Sequence, residues 1–210
     1  MNPRYRQAYF LRAAARLDQA PADEGREVAF AGRSNAGKSS AINLICDQRQ
    51  LARTSKTPGR TQQILFFAAG DEERRLVDLP GYGYARVAET VKHQWQDLMA
   101  DYLNRRQSLV GLVLVMDIRH PLTDFDQRML EWSRVAGRSL LLLLTKSDKL
   151  KRGAALAQVA QVRRAVAGEG ERVRVEGFSA VDRQGIDPVH EVLDAWLGVT
   201  ESGVSEPASS

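Results

Sequence analysis

The chain has a single cysteine, Cys46, among its 210 residues, so no internal disulfide can form and a reducing, cytoplasmic setting fits. Its three histidines, His93, His120 and His190, are scattered and lack metal-ligand spacing. Long hydrophobic runs are missing as well. The longest, Leu109 to Met116, covers eight residues, against the roughly 18 that a membrane span needs. Arg12 and Arg16 interrupt the apolar stretch of the N-terminus, which makes it a poor secretory signal, with only a slight likeness to an organelle-targeting peptide. No internal repeat is visible. No aromatic platform or named RNA-binding motif stands out, which argues against sequence-specific RNA reading. Charge of one sign is not in great excess: 30 Lys and Arg face 26 Asp and Glu, a net +4. That balance leans towards phosphate-rich partners, or reflects an evenly solvated surface.

What remains is an ordinary globular composition, 43% apolar and 27% charged, at a length that suits one α/β domain with short tails. Residues 1–25 read as a short basic, amphipathic arm, 26–198 as the folded domain and 199–210 as a tail without a core pattern, expected to be disordered. Strand patterns fall at 27–32, 62–69, 74–79, 110–117, 139–145 and 172–178. The two continuous apolar runs, 109–116 and 140–144, suit strands covered on both faces. Helical periodicity links Val91, Trp95, Leu98, Met99 and Tyr102, and again Phe125, Met129, Trp132 and Ala136 behind the cap candidates Thr123 and Asp124. A third helix runs over 153–167 through Leu156, Val159, Val162 and Val166. The last is expected to open with Asp187 as N-cap and Pro188 in its first turn. Only Gly70 to Glu73 separates two of the strands, too short for a crossover, so that pair is an antiparallel hairpin. The expectation is a six-stranded, mostly parallel sheet with one antiparallel strand at its edge and helices on both faces.

The chemistry concentrates in four stretches. Gly32-Arg33-Ser34-Asn35-Ala36-Gly37-Lys38-Ser39 is a complete G-x-x-x-x-G-K-[ST] phosphate loop between a buried strand and a helix. Its backbone N–H groups cradle a polyphosphate, Lys38 reaches the β and γ oxygens, and the Ser39 hydroxyl joins a Mg²⁺ shell. Asp78-Leu79-Pro80-Gly81 follows a strand end, where the carboxylate can reach a Mg²⁺-bound water and the Gly81 N–H a γ-phosphate. Thr145-Lys146-Ser147-Asp148 also ends a buried strand. Asp148 can accept two hydrogen bonds from guanine N1–H and N2–H₂, a pairing that adenine cannot offer, while the Lys146 stem packs along the nucleotide. Phe178-Ser179-Ala180 ends the next strand, with the Ala180 N–H within reach of guanine O6. All four sit at carboxyl ends of strands, in the order a GTPase requires; Asp148 disfavours an ATPase or kinase.

The sequence resembles the EngB family of bacterial GTPases. The likeness lies in Gly32 to Ser40, in Arg-Thr-Ser-Lys-Thr-Pro-Gly-Arg-Thr-Gln at 53–62 and in Asp-Leu-Pro-Gly-Tyr-Gly-Tyr-Ala at 78–85. It extends through Asp117-Ile-Arg-His120 and Thr145 to Asp148, over roughly residues 5–197. The stretches 53–62 and 78–85 are the specific ones. Thr145 stands where many GTPases have Asn, which the resemblance suggests is normal here. The resemblance implies a Ras-like fold, binding of GTP and GDP with Mg²⁺, a role in assembling the large ribosomal subunit, and a need for the protein in cell division and septation.

Carried over by the resemblance, Thr61 joins Ser39 and Asp78 at the Mg²⁺; by residue type alone it is equally a turn threonine. Gly59 and Arg60 precede it in the first switch, and Gly59 and Gly83 supply hinge freedom. Tyr82 occupies the place where Ras-type enzymes carry a water-orienting Gln, so slow intrinsic hydrolysis is expected. Two sources could supply the missing help. Asn35 either ligates K⁺ where an arginine finger would act, or bonds neighbouring backbone; a ribosomal partner that orders the switch loops is the other source. Lys38, Gly81, Thr61 and Asn35 are thus the candidates for catalysis. Arg49, Arg53, Lys56 and Arg60, with no acidic residue between them, either read nucleotide state out as RNA affinity or form a solvated loop. Arg105-Arg106, Lys149 to Arg152 and Arg163-Arg164 would widen that footprint or serve as helix-end and surface charges. The competing reading is a GTP-gated binding module of the division machinery with incidental hydrolysis. A monomer is favoured.

Overall fold

The computed structural model describes residues 3–52, 63–82 and 89–199, with side chains in the last stretch from Asp97 onward. The expectations for Arg53, Lys56, Gly59, Arg60, Thr61, Gly83, the side chains of Val91, His93 and Trp95, and the tail from Thr200 lie outside the described residues.

The elements are α1 (Pro3–Arg6), β1 (Tyr9–Ala14), β2 (Arg26–Gly32), α2 (Lys38–Ile45), β3 (Ile64–Ala68), β4 (Arg74–Asp78), α3 (Glu89–Arg105), β5 (Leu109–Asp117), α4 (Asp124–Ala136), β6 (Ser139–Thr145), α5 (Arg152–Ala165), β7 (Val173–Gly177) and α6 (Ile186–Leu197). They form one sheet in the order β1-β3-β4-β2-β5-β6-β7. From β4 to β7 every neighbouring pair is parallel, as helical crossovers demand. β3 is antiparallel to both its neighbours.

Two expectations are corrected here. The sheet has seven strands rather than six, and the antiparallel strand is internal, because the N-terminal arm supplies β1 outside β3. Only Ala14 of β1 is buried, so no apolar alternation announces this strand. It is placed by its ladder with β3 and by Tyr5, which is fully buried, stacks on His190 at 4.7 Å and donates its hydroxyl to Asp194 at 2.8 Å.

Apolar side chains fill both faces of the sheet. Met99, Tyr102, Met129, Leu130 and Val162 cover one face from α3, α4 and α5. Ile42, Ile45, Val189 and Leu193 cover the other from α2 and α6. Leu156, expected on the core face of α5, stays exposed. The N-cap of α6 is Gly185, not Asp187. Its φ of 79° is left-handed, and a Cβ there would stand 2.1 Å from the Gly177 carbonyl oxygen, so glycine is required where the chain turns back under β7. Thr123 does cap α4, in a reciprocal arrangement with Asp126.

At the amino end of β2 the Glu27 carboxylate is fully buried. It accepts from Arg75 (2.8 Å), Arg106 (2.7 Å) and the Tyr102 hydroxyl (2.9 Å), so the buried carboxylate is not left unpaired. Arg106 is thereby withdrawn from any phosphate-binding footprint. Arg163 likewise spends its guanidinium on the Val175 carbonyl (2.8 Å). Among the described residues, no helix is long and apolar enough to cross a membrane.

Candidate functional site

β2, buried almost throughout, delivers the phosphate loop to the carboxyl edge of the sheet. Within it Asn35 (φ 65°) and Gly37 (φ 97°) are left-handed, which turns the chain so that α2 opens directly at Lys38. No side chain caps α2, leaving the positive end of the helix to face whatever the loop encloses. Asn tolerates this backbone conformation better than most residues, which is one structural reason for its presence at position 35. Beside the loop, β4 ends at Asp78, whose largely buried carboxylate forms an ion pair with the Lys38 ammonium. Ser39 follows Lys38 as the second residue of α2 and is half-buried.

These groups fit a Mg²⁺ nucleotide. A hydroxyl and a carboxylate oxygen are hard donors suited to Mg²⁺. Among the described residues, no cluster of three or more His, Cys, Asp or Glu could hold a metal without the phosphates.

After Asp78 the chain stays against the loop. Leu79 N–H donates to the Phe30 carbonyl (3.0 Å), and Ser34 N–H donates to the Tyr82 carbonyl (2.8 Å). Gly81 lies within about 3.5 Å of the Ser34 backbone, measured from where a Cβ would stand. Tyr82 itself is buried. Its ring stacks on Phe125, with centroids 3.3 Å apart, and its hydroxyl donates to Asp126 at 2.8 Å. Burial and the adjacent Asp126 carboxylate push the phenol far above its usual range, so it remains a neutral donor. The other oxygen of Asp126 accepts from the N–H and hydroxyl of Thr123, both at 2.8 Å. One carboxylate therefore joins the Asp78–Tyr82 segment to the start of α4. Sequence reasoning missed Asp126; its position three residues after a candidate N-cap threonine is the signal that could have found it.

The other end of the site is assembled from β6 and β7. The Thr145 hydroxyl lies against the Ala36 and Met116 carbonyl oxygens, tying the phosphate loop to β5 and β6. Lys146, left-handed at φ 60°, donates to the Asn35 carbonyl (2.6 Å) and pairs with Asp117 (3.0 Å). Its stem thus runs along the loop, as a lysine covering a nucleotide would. Hydrogen bonds from Arg119 hold the Asp117 carboxyl well below the usual carboxylate range, with Lys146 adding to the effect.

Ser147 N–H donates to the Phe178 carbonyl (3.1 Å), and Phe178 N–H to that of Leu144 (2.8 Å). The Ser179 hydroxyl donates to Asp148 (3.0 Å), whose other oxygen pairs with Lys149 (3.0 Å). Burial works against ionisation of Asp148, yet Lys149 and Ser179 prevail and its pKa is lowered. A carboxylate has roughly four lone-pair sites, so Asp148 keeps acceptor capacity beyond these contacts for an incoming donor. Ala180 stands exposed at the adjoining turn. The Ser147 hydroxyl oxygen is buried without a hydrogen-bond partner, an orphan group of the sort that binding sites retain. The larger cavities, ≈ 890 Å³ beside Arg16 and Arg105 and ≈ 1030 Å³ beside Phe10 and Arg49, do not touch the phosphate loop. The motif geometry, not cavity size, locates the site.

Phosphate loop, Asp78 corner and the paired 145–148 and 178–180 turns on a mostly parallel sheet define a P-loop GTPase. A family model described as "50S ribosome-binding GTPase" matches residues 27–146. Proteins called "Probable GTP-binding protein EngB" from Escherichia coli and Shigella boydii are 54% identical over 93% of this chain and 93% of their own length. The chain belongs to the EngB family of GTP-binding proteins. A crystal structure of a probable GTP-binding protein EngB matches with a TM-score of 0.64 at 18% identity, covering 82% of this chain and 98% of that one, a likeness of fold alone.

Proposed function

We propose that this protein is a slow GTPase switch that acts in assembly of the large ribosomal subunit, as a cytoplasmic monomer. Normal cell division and septation depend on it through ribosome supply. The base is read by Asp148, with Thr145, Lys146 and Ser147 beside it and Phe178, Ser179 and Ala180 closing the turn. The phosphates lie on Gly32 to Ser39, with Arg33, Ser34, Ala36 and Gly37 offering backbone. Ser39, Asp78 and, by family likeness, Thr61 hold Mg²⁺, which when bound neutralises charge on the phosphate oxygens. Lys38 and the Gly81 N–H face the γ-phosphate. Leu79 and Pro80 carry the chain between Asp78 and Gly81, and Gly59 and Arg60 belong to the first switch.

The observation that carries the slow-switch reading is the bond from Tyr82 to Asp126. The side chain that follows Asp-x-x-Gly is a neutral phenol committed to α4, so it does not orient water as an amide would. Help for hydrolysis then comes from K⁺ at Asn35 or from a ribosomal partner. The ribosomal assignment rests on the family's description and on the mildly basic chain.

The test is GTP turnover by the purified protein, with and without large-subunit precursors, in KCl and in NaCl at matched ionic strength. Stimulation by precursors is expected. Turnover equal in the two salts removes the K⁺ proposal. Failure to cosediment with subunits in GTP, alongside capture of septal proteins, would replace the ribosomal role by direct action on the division machinery.

A further inference from the structure

The turn Asp117-Ile118-Arg119-His120 leaves the end of β5 and has no part in the function proposed above. Its first residue stands where the sheet brings the two ends of the nucleotide site together. β5 lies between β2, which feeds the phosphate loop, and β6, which feeds the base motif. In the ladder Asp117 is the partner of Thr145, which places it beside the Thr145-Lys146 step.

The turn fixes the rotation of the Asp117 carboxylate. One oxygen accepts from the Arg119 N–H at 3.0 Å and from its Nε at 2.9 Å, and the other accepts from the guanidinium at 2.6 Å. The His120 N–H donates to the Asp117 carbonyl at 2.9 Å, which closes the turn. The second carboxylate oxygen also meets the Lys146 ammonium at 3.0 Å. That ammonium donates to the Asn35 carbonyl of the phosphate loop at 2.6 Å. Asn35 (φ 65°) and Lys146 (φ 60°) are both left-handed, a conformation that residues other than glycine rarely adopt unless their surroundings impose it. Lys146 is thus clamped twice, its backbone at the strand end and its ammonium between Asn35 and Asp117.

This clamp adds little to the stability of the fold. The Asp117, Lys146 and Arg119 side chains are 16%, 30% and 43% exposed, and ion pairs open to water contribute little to folding. A cavity of ≈ 270 Å³ between the phosphate loop and the turn, lined by Asn35, Asp117, Arg119 and Lys146 among others, leaves the lysine room to swing away. Without Asp117 the Arg119 and Lys146 cations would face each other with no anion between them, which favours that departure.

We infer that Asp117 is a positioning residue that sets the lifetime of bound nucleotide by holding Lys146 in place across it. The inference rests on the base-site reading above, in which the Lys146 stem covers the nucleotide. Asp117 acts through the lysine rather than on the ligand.

The experiment measures release of tritiated GDP from the full chain after a chase with excess unlabelled GDP, in Mg²⁺ buffer, across a double-mutant cycle. Lys146→Ala should speed release by roughly 10- to 100-fold, the scale of a hydrogen bond made by a charged group. Asp117→Ala should speed it by about 10-fold. The double variant should release no more than about 2-fold faster than Lys146→Ala alone, because the carboxylate then has no lysine to hold. Asp117→Asn keeps the shape and one acceptor oxygen and should speed release by about 3-fold. It carries the same cycle if the alanine variant does not fold. Melting temperatures of the Asp117 variants should stay within about 3 °C of wild type.

Effects that multiply in the double variant would mean that Asp117 acts without the lysine, and would overturn the inference. So would a melting temperature lowered by more than about 8 °C in both Asp117 variants, the sign of a merely structural role. If release stays slow in the Asp117 variants but is fast in Lys146→Ala, the positioning role fails and the base-site reading stands. If Lys146→Ala also releases GDP at the wild-type rate, both have failed.

Discussion

The two ends of the nucleotide site are built on different terms. At the base end every motif is the last turn of a strand already locked in the sheet, and the motifs hold one another. Ser147 bonds to Phe178, Ser179 to Asp148, and Thr145 reaches across to Ala36 in the phosphate loop. At the γ-phosphate end Asp78 still belongs to β4, but the residues after it depend on backbone bonds to Phe30, Gly32 and Ser34 and on one side chain, Tyr82, tethered to α4. On the proposed function, recognition is part of the scaffold, whereas the part that would tell GTP from GDP is attached by contacts that can be given up. This division is what a switch requires, since a coupling segment works only if its two arrangements lie within a few kcal/mol of each other.

The sharpest way to break this contrast is at Asp148. Asp148→Asn replaces an acceptor pair by an amide that presents a donor to guanine N1–H or N2–H₂. GTP and GDP affinity should fall on the order of 1,000-fold, because a site built around a hydrogen-bond pair rejects a mismatched partner strongly. Xanthosine nucleotides, with a carbonyl at C2, should bind better than to the wild type. Competition against a fluorescent nucleotide measures both. A loss of only a few-fold would place base recognition elsewhere.

Tyr82 comes next and should behave in the opposite manner. Tyr82→Ala removes the stack on Phe125 and the bond to Asp126, and we expect turnover to fall by roughly 10- to 100-fold, the scale of a hydrogen bond to a charged group plus packing. Tyr82→Phe keeps the stack and should lose less. In both variants GDP affinity should stay within about 3-fold of wild type, since the base end is independent of this tether. Equal losses in GDP affinity and turnover would show that the two ends are one rigid unit.

Thr145→Val probes the link between the ends. The substitution keeps the shape and removes the hydroxyl that serves the Ala36 and Met116 carbonyls. An unsatisfied buried carbonyl costs about 1–2 kcal/mol, so thermal denaturation should shift down by roughly 2–8 °C. An unchanged melting temperature would mean that the phosphate loop is held without this contact.

Most of the base end was legible in the sequence because strands buried on both faces announce themselves as apolar runs, and each motif directly follows one. Leu140 to Leu144 ends at Thr145, and the strand before Phe178 ends where expected. The hairpin of β3 and β4 was equally plain from its short link. What escaped reading has no local signature. β1 is exposed over most of its length, and its place depends on pairing with residues 50 or more positions away. Glu27 and Arg106 look like surface charges until the fold brings them together. Asp126 acquires its second role only when Tyr82 arrives from another loop. Gly185 displaces Asp187 as a cap because of a close approach to Gly177 that no propensity encodes.

The smallest expected effect concerns acid. The Asp148 carboxyl titrates below its ordinary value of 3.8, since Lys149 and Ser179 outweigh the burial that opposes ionisation. A group with a depressed pKa keeps its charged-state contribution at every pH above its ordinary pKa and loses it only as pH falls through the depressed value. Base recognition should therefore be constant from about pH 7.5 to about pH 5. Raw GDP affinity is a poor readout over this range, because the nucleotide's own phosphates titrate. The ratio of GDP to inosine diphosphate affinity removes that problem. Both ligands carry the same phosphates, and they differ by the 2-amino group that Asp148 would accept from. We expect this ratio to change by less than about 2-fold across the range. A ratio that falls towards one with a midpoint near pH 5 would mean that Asp148 is not held ionised by its neighbours. The base end would then be as adjustable as the phosphate end.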